Sequence, residues 1–276
     1  MPRCPCRLGR RANNIVPFTL TLDHATAPEA AYRSDAQCDA RHAGQLKLLC
    51  AEVAFLREFM APTVIYAGAA PGLHIPRLAD MFPGVALFVL VDPHESALDD
   101  GGRFRILRCL MTDALAEELR EQYGPDILFI SDVRVGPPDS QESDDAQQKR
   151  IHADMERQMR WHQVLDPVAS MLKFRLPWNL SETTEYLDGV IHLPVFGRRL
   201  THESRLVVCR GAGLVHYDNR RYERQMAYFN RIVRNVALFD NRCFDCTALA
   251  LICGENLVKD IERELARAGR RWFLRF

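Results

Sequence analysis

The stretch "VIYAGAAPGLHI", Val64 to Ile75, decides how the rest of the chain is read. Its first residues are mostly β-branched or aromatic and read as a strand. They lead into a Gly-Ala-Ala-Pro-Gly turn, Gly68 to Gly72, and a helix-like stretch follows. Small residues let a backbone approach a ligand closely, and a helix start offers unpaired N–H groups. A strand, a small-residue turn and a helix start placed together suit a nucleotide-like ligand.

The flanks extend this unit into an alternating pattern. "GQLKLLCAEVAFLREFM" has apolar residues at helical spacing and predicts a helix from about Gln45 to Met60. "GLHIPRLADMF" predicts a short helix with Pro76 in its first turns. "ALFVLVD" is a strand ending at Asp92, and "DALAEELREQYG" a helix ending near Gly124. "DILFISD" is a strand ending at Asp132. The loop "VGPPDSQESDD" follows, then a polar helix to about Leu165. "VASMLKFRL", "GVIHLPVF" and "SRLVVCR" read as further strands, and "NRRYERQMAYFNRIVRN" and "ENLVKDIERELARAGRR" as helices. Strand–helix alternation with strands ending in Asp predicts an α/β fold built on a doubly wound parallel sheet. Residues 1–40 are Arg-, Ala- and Pro-rich without period and read as a poorly ordered arm, leaving 41–276 as one domain.

Composition narrows the function classes. The chain has 276 residues and 47% hydrophobic content, enough for one large α/β core. Lys+Arg and Asp+Glu are both 36, so net charge is zero. That excludes coating nucleic acid by bulk charge and leaves a local basic groove open. No apolar run reaches the length of a membrane-spanning helix, and the N-terminus lacks a secretory apolar region. The nine cysteines are odd in number and scattered, as free thiols of a reducing compartment are. Cys243 and Cys246 form a CxxC with Cys253 nearby, but no His stands at ligand spacing; buried thiols fit better than zinc.

Ligands of doubly wound sheets sit at the carboxyl ends of the strands, where the Gly68–Gly72 turn, Asp92 and Asp132 all fall. The turn is not GxGxxG, which disfavours a nicotinamide cofactor, and it lacks the GK[ST] of a triphosphate-binding loop. An acid about 20 residues past such a turn suits a ribose diol. The set therefore suits S-adenosylmethionine. Ordinary capping of the following turns would also place an acid at each strand end.

"GQLKLLCAEVAFL", "VIYAGAAPGLHI", "LFISDVR", "LDPVASMLKFRLP" and "NRIVRN" resemble the poxvirus cap-specific mRNA (nucleoside-2'-O-)methyltransferases. Members of that family also serve as the small processivity subunit of the viral poly(A) polymerase. The resemblance runs from about Gln45 to about Arg275, and it implies a Rossmann-like sheet of the S-adenosylmethionine-dependent methyltransferase type. It implies a catalytic tetrad of Lys47, Asp132, Lys173 and Glu203. A ribose 2'-hydroxyl is a poor nucleophile, and its proton must leave. A lysine can take that proton only where burial and a neighbouring cation weaken its hold on its own. Lys173 is the implied base or steering group, Lys47 the neighbouring cation, and Asp132 and Glu203 the carboxylates that orient the lysines.

The resemblance also implies a methyl-donor pocket of Gln45, Tyr66, Gly68, Gly72, Asp92 and Asp132, with Met111 beside the adenine. His94 stands where the family has an Arg. For the cap it implies Trp178 as a stacking aromatic on the cationic methylguanine and Glu223 as the carboxylate that pairs with its edge. His24 is the candidate for the second stacking partner. Leu200 replaces a family Tyr, and Asn179 and Leu180 stand where a second acid is expected. Arg134, Arg175 and Arg205 are the candidate phosphate contacts, and Arg220, Arg221 and Arg224 add to them, although a solvated helix face also suits Arg220 and Arg224. The implied partners are capped mRNA and the catalytic polymerase subunit, in a heterodimer. The implied locations are the virion and the host cytoplasm, with no metal and no membrane. Two alternatives stay open: a 2'-O-methyltransferase of uncapped or ribosomal RNA, and a non-catalytic processivity partner.

Overall fold

β2 (Thr63–Ala67) and β5 (Ile127–Ser131) are buried at every residue. Continuous apolar runs of this kind are what central parallel strands require, because both faces of the sheet are covered. The computed structural model describes residues 19–21, 43–134, 143–177, 181–194 and 203–229. Besides β1 (Thr19–Thr21), these hold α1 (Ala43–Glu58), β2, α2 (Ile75–Met81), β3 (Leu87–Val91), β4 (Phe104–Leu107), α3 (Asp113–Tyr123), β5 and α4 (Asp144–Leu165). β6 (Ala169–Phe174), β7 (Thr183–Leu187), β8 (Val190–Pro194), β9 (Ser204–Cys209), β10 (Leu214–Asp218) and α5 (Asn219–Tyr228) follow. The chain forms two compact units: 55–192 with 202–224, and 1–54 with 193–201 and 225–276.

The larger unit carries the sheet in the order β8-β9-β6-β5-β2-β3-β4. β2, β3, β4, β5 and β6 are parallel. The chain runs outward from β2 to the edge at β4, then returns to lay β5 on the other side of β2. The winding thus reverses between β2 and β5, where open α/β sheets leave a crevice for ligands. This is the Rossmann-like, doubly wound α/β class expected from the sequence. It is not purely parallel: β9 runs antiparallel to both β6 and β8. β7 and β10 form a separate two-stranded antiparallel ribbon.

Local chemistry sets the helix ends. The Thr112 hydroxyl accepts from the Leu115 N–H at 3.1 Å to start α3. Ser143 does the same for α4 through the Ala146 N–H at 3.3 Å. α4 ends at Asp166, a non-glycine residue at φ 43°. Its carboxylate meets Arg120 at 3.4 Å and Arg210 at 3.5 Å, which hold it in that left-handed conformation. α4 packs on α3, β5 and β6, with Ile151, Met155 and Trp161 buried beneath it. Pro76 sits in the first turn of α2, where its missing N–H costs nothing. No helix among the described residues is long and apolar enough to cross a membrane.

Candidate active site

β2 and β5 end level with each other at Ala67↔Ser131, so the next residues, Gly68 and Asp132, open side by side at the switch point. The Asp132 N–H donates to the Ala67 carbonyl at 2.9 Å, and the Gly68 N–H to the Val91 carbonyl at 2.9 Å. Gly68 has φ +79°, and a Cβ there would lie 2.9 Å from the Asp132 carbonyl carbon. The two strand ends touch backbone to backbone, which only glycine allows. Gly72 has φ +73°, and a Cβ there would meet the Ala69 oxygen at 3.1 Å and Ile75 Cδ1 at 3.2 Å. A side chain at Gly72 would thus collide first with the chain itself.

Asp92, one residue beyond β3, closes this turn. Its Oδ2 accepts from the Ala70 N–H at 3.1 Å. Its Oδ1 receives the His94 N–H at 2.9 Å and stands 2.9 Å from His94 Nδ1. The capping reading of this strand-end acid is met: Asp92 caps its own turn and pins the small-residue turn beside it. His94 is almost wholly exposed. Tyr66 is fully buried within β2, its ring edge-on to His74 at 6.4 Å. Met111 is also buried.

Four charged side chains converge next to this turn. Lys173 on β6 and Arg205 on β9 are cross-strand partners, so their side chains share one face. Lys173 Nζ stands 3.0 Å from Asp132 Oδ1 and 3.4 Å from Glu203 Oε2. Arg205 reaches the same two acids, at 2.7 Å to Asp132 Oδ1 and 3.0 Å to Glu203 Oε1. The side chains of Arg205, Lys173, Asp132 and Glu203 are 4%, 11%, 18% and 20% exposed. Ionised, these four side chains form a ring of two cations and two anions. Burial alone would lower the pKa of Arg205, but Asp132 and Glu203 outweigh it and hold the guanidinium above its ordinary range.

A family model for the poly(A) polymerase regulatory subunit matches residues 17–251. The chain belongs to that family. Among curated relatives, the cap-specific mRNA (nucleoside-2'-O-)-methyltransferases of Myxoma virus, strains Lausanne and Uriarra, are each 29% identical to it over 214 residues. The match covers 70% of this chain and 62% of each relative, so the chain spans under two thirds of their length. A solved short chain dehydrogenase from Leptospira borgpetersenii with bound NAD+ overlaps 41% of this chain and 47% of its own. At 15% identity and a TM-score of 0.29, that likeness carries no argument.

In this member of the poly(A) polymerase regulatory subunit family, Asp132, Lys173 and Glu203 meet although 41 and 30 residues separate them in sequence. Gln45 and Lys47 lie on α1, and their side chains are outside the described residues, as are His24, Trp178, Asn179, Leu180, Leu200 and the Cys243–Cys246 pair. Arg205, expected among the phosphate contacts, lies inside the ring, its guanidinium shared between two carboxylates. Arg134 and Arg175 flank the ring. Burial lowers the pKa of both, and Arg134 adds to the lowering at Arg175, while Glu203 opposes it at each. Two crowded guanidiniums therefore stand beside the ring, with Asp154 also acting on Arg134. Glu223 and Arg221 are exposed on α5, as are Arg220 and Arg224, for which a solvated face is the competing reading. Sequence reasoning missed the structural role of Arg205. The cue was faint: one cation within "ESRLVV", where strand alternation cannot tell a buried charge from an exposed one.

Proposed function

We propose that the chain is an S-adenosylmethionine-dependent methyltransferase that modifies the ribose 2'-hydroxyl of the first transcribed nucleotide of capped mRNA. Its family membership and the names of its Myxoma virus relatives support this. The observation that carries it is the meeting of Asp132, Lys173 and Glu203 beside the switch point, with Lys173 Nζ between the two carboxylates. We further propose that the chain acts as the regulatory subunit of a viral poly(A) polymerase, in a heterodimer with the catalytic subunit. The family description supports that role, and the viral relatives support a viral, host-cytoplasmic setting. Packaging in the virion is part of the same proposal.

The residues present fit the donor. The turn from Gly68 to Gly72 carries no side chain larger than Pro71. The contacts of Asp92 to Ala70 and His94 leave room among a carboxylate's roughly four acceptor sites for a ribose hydroxyl. Gln45, Tyr66, Gly68, Gly72, Asp92, His94, Met111 and Asp132 are assigned to this pocket by their match to the family. When bound, S-adenosylmethionine supplies a methyl group made electrophilic by its sulfonium.

In this reading Lys173 meets the substrate. The ribose oxygen gains a methyl group and loses a proton, and Lys173 either takes that proton or steers the hydroxyl. Asp132 and Glu203 hold Lys173 in place from two sides. Arg205 draws on both carboxylates, so Lys173 is not the sole cation in their field. Lys47 is assigned to the same reaction by family match alone. Arg134 and Arg175, beside the ring, are assigned to RNA phosphates. Trp178, Glu223 and His24 are assigned to the cap.

Lys173→Arg tests the assignment. Arginine keeps the charge and cannot give up its proton near neutral pH. The variant should bind S-adenosylmethionine normally and transfer no methyl group to capped RNA. Near-normal turnover would sink the role given to Lys173.

A further inference from the structure

The pairing of β5 with β6 ends at Ser131↔Leu172, one residue short of Lys173. Beyond it Asp132 still bonds to β2, giving its N–H to the Ala67 carbonyl, but it is no longer paired with β6. The backbone of Lys173 therefore stands past the end of the parallel ladder. The side chain of Gln158, on α4, fills that place. Gln158 Oε1 accepts from the Lys173 N–H at 3.0 Å, and Gln158 Nε2 donates to the Lys173 carbonyl at 3.2 Å. Nε2 also donates to the Asp154 carbonyl at 3.2 Å, one helical turn back. The sense of the amide is thereby fixed, since only its oxygen can accept from an N–H and only its nitrogen can donate to two carbonyls. Gln158 is fully buried, so no water competes for these bonds.

We infer that Gln158 is a positioning residue for methyl transfer, an amide splint that sets the backbone of Lys173 and with it the location of Nζ. The inference rests on the proposed role of Lys173. A residue held on both its N–H and its C=O has the two peptide groups that flank it fixed, and little freedom to rotate about the strand axis. On the other side of β6, the register with β9 places Lys173 opposite Arg205. Displacing a catalytic group by about 1 Å can cost on the order of a hundredfold in rate. The splint belongs to α4, which otherwise contributes packing.

The test compares Gln158→Met, Gln158→Asn and Gln148→Met with the full-length wild-type chain. Methionine keeps the volume and removes both bonds; asparagine keeps the amide and withdraws it by one methylene. Gln148 is the control: it lies on the same helix, is equally buried, and its side-chain amide makes no hydrogen bond among the described residues. Methyl transfer to capped RNA is measured per S-adenosylmethionine-binding site, so that unfolded protein does not count. Gln158→Met should lower kcat roughly 10- to 100-fold with KM for RNA and donor affinity within about twofold of wild type. Gln158→Asn should fall in the same direction, and it serves alone if the methionine variant does not fold. Gln148→Met should keep wild-type kcat. Wild-type kcat in folded Gln158 variants, or an equal loss in Gln148→Met, would overturn the positioning role. Wild-type protein that transfers no methyl group would instead overturn the methyltransferase reading, and the splint with it.

Discussion

Replacing Arg205 by Met tests how the charge ring is held. The side chain is 4% exposed and contacts Asp132 at 2.7 Å and Glu203 at 3.0 Å. Methionine has similar length and no charge, so the substitution takes from both carboxylates the guanidinium they share. Removing one partner of a buried pair costs about 3–5 kcal/mol, chiefly because the remaining charge stays buried and uncompensated. Asp132 and Glu203 are each about one-fifth exposed, so both regain some hydration. That places the expected loss near the lower end, about 3 kcal/mol. A typical domain has only about 5–15 kcal/mol in all, so the effect would dominate the unfolding curve. Urea denaturation at neutral pH measures it directly, with an unchanged slope showing that the unfolded state is not altered. Adding Glu203→Gln removes the surplus negative charge, so the double variant should lose less than the sum of the single losses. A loss below about 1 kcal/mol for Arg205→Met would put the ring in the class of solvated surface pairs and refute the reasoning.

His162 is buried against the Ser170 hydroxyl at 2.7 Å, and burial pushes its pKa down to about 4. The unfolded chain binds that proton from about pH 6.5 downward and the folded chain does not, so stability falls from there to about pH 4. Between neutral pH and pH 4 the loss is on the order of 3 kcal/mol, and His162→Asn should flatten the curve of denaturation midpoint against pH over that window. Gly68→Ala forces a side chain against the Asp132 backbone at a left-handed φ; the melting temperature should drop, by an amount equivalent to at least about 1–3 kcal/mol, and an unchanged value would mean that the strand ends can part. In the proposed cap pocket, Trp178→Ala should weaken capped RNA by about 1–3 kcal/mol and leave uncapped RNA and S-adenosylmethionine unaffected. Glu223→Gln should reduce the preference for guanine in the cap; fluorescence titration with a cap dinucleotide, with and without the N7 methyl group, reads both.

The central strands were legible because their sequence does not compete with other readings. "TVIYA" and "DILFIS" are short, apolar and β-rich, bounded by Gly68 and Asp132, and only a doubly covered strand buries every residue of such a run. The antiparallel course of β9 was not legible, since "SRLVVC" reads the same in either direction. β4, β7 and β10 were missed for a different reason. "FRIL", "TTEYL" and "LVHYD" mix charge with apolar residues. β7 and β10 exist because they pair with each other, Leu187 against Leu214, across a gap that no local window spans. At the site, resemblance to a family pointed to Asp132, Lys173 and Glu203. Residue type alone would leave Glu203, like Lys47, as a solvated surface charge, because what brings Glu203 to Lys173 is the β6–β9 register. Gln158 carried no signal at all: a glutamine within "MERQMRW" looks like any polar helix residue until the end of β5 is located.

Methyl transfer from labelled S-adenosylmethionine to short RNA, capped or uncapped, with the labelled atom mapped afterwards, tests the central claim most directly. The account predicts label on the 2'-oxygen of the first transcribed nucleotide, with capped RNA favoured by roughly tenfold or more, the scale of one stacked base at about 1–3 kcal/mol. Transfer to a base, equal transfer to both RNAs, or no transfer by folded protein that binds the donor would contradict it.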